Sequence, residues 1–305
     1  MLRNEFRRPE VLERSLNHPL ATLFEQFLRE RTYLKNVSPQ TLIWYRVAFK
    51  NYRAAFPDDE APSKSRMQQF VIGLRQRELR PVTCNTYIGA MNAFCKWLHE
   101  EGYMTDRVRL QKLRVERRVL DLLDETQMKV LIGYKPKTYR ETRLHVAVLL
   151  VLDTGLRISE ALGLRPADID IDNLILKVFG KGQKERLVPF SPELRKRLYR
   201  LSQLRTKKRV PDTFVFAGFG GVKWEKRNAT HSLHLLQDKL GLPRFGWHRL
   251  RHTFATSYLR HGGDIVRLSM VLGHTQITTT QRYLHLLTED LSASHQRVSI
   301  LNRLG

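Results

Sequence analysis

Between Asp106 and Leu120 the chain reads RVRLQKLRVERR, dense in charge and free of turn residues. Such a stretch is expected to run as an extended basic linker, 106–120, strapped along a polyanion or simply solvated. At 305 residues the chain is long enough for two cores. The linker therefore divides it into an N-terminal part, 1–105, and a C-terminal part, 121–305.

The N-terminal part has the pattern of a small helical bundle, with helices expected at 18–35, 38–55, 64–77 and 81–101 and loops at Pro57, Asp58, Pro62 and Gly102. Ser38-Pro39 is a helix start, Ser as the cap and Pro in the first turn. The second helix places Leu42, Tyr45, Phe49 and Tyr52 on one face, with Arg46, Lys50 and Arg53 off it. The C-terminal part changes character. Helices are expected at 125–133, 139–153 and 157–164, then three short strands at 168, 174–179 and 185–190, with GKGQK as the turn of a hairpin. Further helices are expected at 192–208, 229–240, 247–261, 264–272, 277–287 and 291–303. The fold class is mainly α with a small β-sheet, α+β.

Both parts are basic. The chain has 53 Lys and Arg against 30 Asp and Glu, a net charge of +23, shared as 22 against 13 up to Arg118 and 31 against 17 beyond it. Uncompensated positive charge works against a compact fold unless a partner uses it. Charge on both sides of a linker favours a chain that wraps nucleic acid with two domains, although a ribosome or an anionic membrane surface could use it too. No membrane span is expected: the longest apolar run, 146–152, falls far short of the roughly 20 residues needed, and the start MLRNEFRRPE lacks a signal-peptide core. Cys84 and Cys95 lie on one expected helix, roughly 16 Å apart along its axis, and cannot pair there. A soluble protein of the reducing cytoplasm is the expectation.

Five places bear on chemistry: TGLRISEAL with Arg157, FGKGQKERLVPF with Lys181, WHRLRHTFAT with His248 and Arg251, LGHT with His274, and TTTQRYLH with Tyr283. Arg157 follows Thr154-Gly155 at a helix start, where it could join free backbone donors in holding an anion or pair with Glu160 three residues on. His248 and Arg251 are one helical turn apart and point into one site. Two cations sharing a face need something negative between them, and a phosphodiester would serve.

Taken in order, these residues resemble the tyrosine site-specific recombinase family, the phage-integrase and Xer-type group, over nearly the whole chain. The resemblance implies a helical, SAM-like core-binding domain at 1–105, a linker, and a catalytic domain at 121–305 with a C-terminal exchange segment. It implies the catalytic series Arg157, Lys181, His248, Arg251, His274 and Tyr283, with Tyr283 as nucleophile, His248 as its base and His274 steadying the phosphate. Arg46, Lys50, Arg53, Lys112, Arg114, Arg117, Arg118, Lys184 and Arg186 are expected along the DNA backbone. The partners implied are double-stranded DNA and further copies of the chain, as a tetramer on two sites, with accessory proteins left open.

The residue types suit that chemistry. Arginines present planar forks to phosphate and stay charged, and a lysine on a hairpin turn can give a proton to the leaving 5′ oxygen. No cofactor, metal or ATP is called for, since a phosphotyrosine bond conserves the diester energy. Zinc at His248 with His252, or at His231 with His234, is disfavoured because no Cys lies nearby and HExxH is absent. Two alternative readings remain: an architectural or regulatory DNA-binding protein on the same fold, which would have no need of a nucleophile, and a type IB topoisomerase-like relaxing activity with the same bond chemistry but no synapsis.

Overall fold

The computed structural model describes residues 19–58, 60–115, 121–180, 185–274, 276–281 and 283. The chain divides into two compact units, Met1–Arg118 and Val119–Gly305. No helix among the described residues is long and apolar enough to cross a membrane.

The first unit is built from α1 (Leu20–Tyr33), α2 (Pro39–Ala55), α3 (Lys64–Gln76) and α4 (Pro81–Glu100). The Ser38 hydroxyl accepts from the Thr41 N–H at 3.3 Å, satisfying one of the donors that a helix start leaves open, and Pro39 occupies the first turn. The core is aromatic. Phe24 stacks on Phe49 at 3.9 Å, and Phe94 meets both rings edge-on at 5.2 and 5.6 Å. Burial of each such ring is worth about 1.5–3 kcal/mol. On the other side of α2, Arg46 and Lys50 are exposed, and Arg46 pairs with Glu25 at 2.9 Å. Arg53 donates to the backbone carbonyl of Asp58.

The described end of the linker, 107–115, carries neither helix nor strand. Val108 is buried and Leu110 and Leu113 pack on the core, while Arg107, Arg109, Lys112 and Arg114 are exposed. Two asparagines of α4 hold it. The Asn92 side chain donates to the Leu110 carbonyl at 2.9 Å and accepts from the Leu110 N–H at 3.0 Å; Asn85 does the same for Leu113 at 2.9 and 2.7 Å. Asn85 and Asn92 are two helical turns, about 10.5 Å, apart. Three residues of extended chain cover about 10 Å, so both clamps close on a segment running antiparallel to α4.

In the second unit α5 (Glu125–Gly133) and α6 (Tyr139–Thr154) lead to the short α7 (Ile158–Ala161). The expected helix over 157–164 is cut short because its last turn tightens: Gly163 donates to Glu160 at 3.0 Å and Leu164 to Ala161 at 3.2 Å, and Pro166 cannot continue a helix. A 3-10 turn, Pro166–Asp168, moves the first strand past 168 to β1 (Ile169–Asp170). With β2 (Ile175–Phe179) and β3 (Glu185–Pro189) it makes one antiparallel sheet in the order β1-β2-β3. Leu176 faces Val188 across the hairpin and both are buried. The rest is α8 (Pro192–Lys207), α9 (Lys226–Lys239, beginning three residues before the expected 229), α10 (Trp247–Arg260), α11 (Ile265–Leu272) and α12 (Thr278–Gln281). The apolar α6 is sandwiched between α8 and α10, at the centre of the large core. The expected segment 291–303, the turn residues 181–184 and, of 277–287, residues 282 and 284–287 lie outside the described residues.

Candidate active site

Two glycines shape the floor of the site. Gly155 ends α6 at φ +65°, where a Cβ would lie 2.3 Å from the Phe254 ring. Gly273 ends α11 at φ +65°, where a Cβ would lie 2.9 Å from the Arg186 guanidinium. Only glycine fits the left-handed conformation against such neighbours. Each helix end leaves carbonyls without partners and a partial negative charge.

Arg251, on α10 and only 4% exposed, collects both ends. It donates to the Gly155 carbonyl at 2.7 Å and the Leu272 carbonyl at 2.8 Å, and contacts His274 Nε2 at 3.0 Å. Burial, reinforced by the like charge of Arg157, pushes its guanidinium down to about 10, so it stays a cation at neutral pH. Arg157 caps α7, is about a third exposed, and donates to Glu160 at 2.9 Å and weakly to the Leu272 carbonyl at 3.5 Å. Arg186, expected along the DNA backbone, is folded inward. Its Nε donates to the Val271 carbonyl at 2.8 Å and its other nitrogens to Glu160 at 2.8 and 3.2 Å. Burial pushes the Glu160 carboxyl up, but the hydrogen bond and charge of Arg186, with the backbone and side-chain hydrogen bonds of Arg157, outweigh it and hold the group below the usual carboxylate range. Two guanidiniums thus pair with one carboxylate while Arg251 rests on backbone carbonyls, and the surplus positive charge suits a phosphodiester.

The remaining groups come from the end of the described chain. His274 Nδ1 lies 2.7 Å from the Thr280 hydroxyl, and Tyr283 is 1% exposed, packed with Leu259, Leu268 and Leu272. Its hydroxyl lies 2.9 Å from His252 Nδ1. The His248 ring, one turn earlier on α10, is 6.3 Å from that of His252. The site therefore brings together Arg157, Arg251, His274, His252 and Tyr283 from the cap of α7, from α10 and from the segment after α11. Lys181, Lys184, Arg117 and Arg118 lie outside the described residues, and Arg46, Lys50, Arg53, Lys112 and Arg114 belong to the first unit. Among the described residues no three His, Cys, Asp or Glu side chains come together as a metal site.

In the sequence His252 stands out only as a zinc partner of His248, and Thr280 carries no signal of a role. The i, i+4 histidine spacing was the visible signal for the first; the second has none, because a threonine beside a histidine ring is fixed by how the chain after α11 turns.

The Phage integrase family model matches residues 121–290. The tyrosine recombinase XerC of Corynebacterium glutamicum is 27% identical over 287 residues, covering 91% of this chain and 93% of its own. The crystal structure of XerA recombinase is 26% identical with a TM-score of 0.51, over 91% of this chain and 98% of that one. A Tn1549 transposon integrase in complex with a circular intermediate DNA shares the fold at a TM-score of 0.77 and 19% identity, over 92% and 99% of the two chains. With its own family model spanning more than half of it, the chain belongs to the phage integrase family and is a tyrosine recombinase.

Proposed function

We propose that the protein is a site-specific DNA recombinase that cuts and rejoins double-stranded DNA through a covalent 3′-phosphotyrosyl intermediate. The observation that carries this is the hydrogen-bonded run Arg157–Leu272–Arg251–His274–Thr280, which ends one turn before the buried Tyr283. Arg157 and Arg251 neutralise the non-bridging oxygens, and His274, oriented by Thr280, steadies the phosphate. The Tyr283 oxygen attacks phosphorus, its proton passing to an imidazole of α10. The bond to the 5′ oxygen breaks, and Lys181, in the role that the family resemblance implies, supplies the proton. Rejoining runs the same steps backwards with a second strand, and the retained phosphoester energy makes ATP unnecessary. This work belongs in the compartment that holds the DNA, the cytoplasm.

The test is adduct formation on a nicked suicide duplex, made from DNA recovered from covalently trapped protein. Tyr283→Phe is expected to bind that duplex as tightly as the wild type and to form no adduct. A persisting adduct would assign the attack to another residue.

The second element of the proposal is a tetramer holding two duplexes, each protomer passing its segment 291–303 to a neighbour. Leu291, Val298, Ile300, Leu301 and Leu304 give that segment more apolar surface than a terminal helix leaves in water. A groove of about 710 Å³ in the second unit, lined by Ile132, Leu149, Leu152, Leu194, Phe254 and Tyr258, offers it a seat. Phe254 and Tyr258 also back the cluster that holds Tyr283, so filling the groove bears on the nucleophile. Removing Leu291 onward is expected to leave single-site binding intact and abolish cooperative occupation of paired sites and strand exchange. A truncated protein that still binds cooperatively and recombines would return the segment to its own domain.

A further inference from the structure

A tyrosine hydroxyl titrates near 10 and is almost wholly protonated at neutral pH, so its attack needs a base within about 2.6–3.2 Å. Tyr283 is 1% exposed, which cuts its oxygen off from bulk water as a proton acceptor. His252 Nδ1 lies 2.9 Å from that oxygen, with ring centroids 5.7 Å apart. Its turn of helix is anchored by a neighbour. The preceding residue, Arg251, pins this turn of α10 to the ends of α6 and α11 through the Gly155 and Leu272 carbonyls. The anchor that presents a guanidinium to phosphate therefore also sets the imidazole against the phenol.

On the recombinase reading above, we propose that His252 is a catalytic residue, the base that takes the phenolic proton of Tyr283, although sequence resemblance assigns that task to His248. An imidazole is mostly neutral near pH 7, and with its proton on Nε2 it offers the Nδ1 lone pair. The Oη–H bond breaks and its proton goes to Nδ1. The Oη–P bond forms as the P–O5′ bond breaks, and the electron pair leaves on O5′, which takes a proton from the acid. In rejoining, the incoming 5′-hydroxyl gives its proton to that acid as it attacks, and Nδ1 returns its own to the departing phenolate. Each cycle leaves both groups as they began.

The experiment measures single-turnover adduct formation on the suicide duplex by full-length wild type, His252→Ala and His252→Asn, with gel-shift affinity and thermal melting followed in parallel. Asparagine keeps an oxygen acceptor close to the place of Nδ1 without its basicity, and it guards against an alanine variant that fails to fold. Both variants are expected to bind and melt like the wild type while forming adduct about 10²–10⁴-fold more slowly. Adduct formation by His252→Asn at the wild-type rate would overturn the assignment, because it would make the hydrogen bond, and not proton transfer, the contribution of His252. Near-normal rates in both variants would overturn it altogether. A wild type that forms no adduct would instead bring down the recombinase reading itself, which separates the two failures.

Discussion

Each unit fastens irregular backbone to a helix, and the two do it with opposite chemistry. In the first, the neutral amides of Asn85 and Asn92 clamp the linker on α4, and the linker cations among the described residues stay in solvent. In the second, the clamp on the ends of α6 and α11 is itself a cation, Arg251, and Arg186 adds a second on Val271. A neutral clamp leaves all the charge outside for long-range attraction to a polyanion. A charged clamp carries the positive charge inside, where lower dielectric strengthens its hold on one phosphate.

That contrast makes Arg251 both structural and chemical, and its loss should show in two readouts. Arg251→Ala is expected to slow cleavage about 10²–10³-fold and to cost about 1–3 kcal/mol in denaturant unfolding, since two buried carbonyls lose their donor. Arg157→Ala should match the rate loss with less than about 1 kcal/mol in stability, because Glu160 keeps Arg186 and the Arg157 pair is partly in solvent. Equal destabilisation by the two would dissolve the distinction.

In the first unit Asn92→Ala should do the reverse. It is expected to cost about 1–3 kcal/mol while leaving the cleavage rate of the bound complex unchanged. A rate loss like that of Arg251→Ala would show that the neutral clamp also serves the chemistry.

The smallest effect concerns acid. Glu160 is held below its unfolded value of about 4.3, so its contribution to stability is full above that pH and drains away as pH falls through its lower folded value. The gap in urea midpoint between wild type and Glu160→Gln should therefore narrow on acidification below pH 4. A gap that widened on acidification would mean that burial, not the arginines, governs Glu160, and a constant gap that the two cancel.

How far the sequence revealed these arrangements depended on whether a side chain signalled its partner. Ser38-Pro39 announced α2, and helix periodicity placed the bundle to within one or two residues at most ends. Backbone bonds hidden from sequence moved the rest, as where the tightened turn after Ala161 shortened α7. The ordered Arg, Lys, His-x-x-Arg, His, Tyr series made the candidate site legible because it spans the domain as one pattern. Much of what stayed hidden has backbone on one side. The acceptors of Arg251 are two carbonyls at Gly155 and Leu272, and the partners of Asn85 and Asn92 are peptide groups 28 and 18 residues away. His252 stayed hidden because i, i+4 spacing serves a metal, a packed ring or a phenol equally well.

Tyr283 belongs to a small cluster, Ala255, Leu259, Leu268 and Leu272, separate from the large core around α6. Sub-global opening begins where least apolar surface holds an element down. Tyr283, His274 and the Leu272 carbonyl under Arg251 all lie on α11 or the chain just after it, so partial opening of that element is expected to unseat them together while the α6 core stays folded. Amide hydrogen exchange across Ile265–Leu272 would then report a free energy of its own, below that of global unfolding. The cutting machinery would be assembled or withdrawn as one foldon, and the protein could spend most of its life folded yet disarmed.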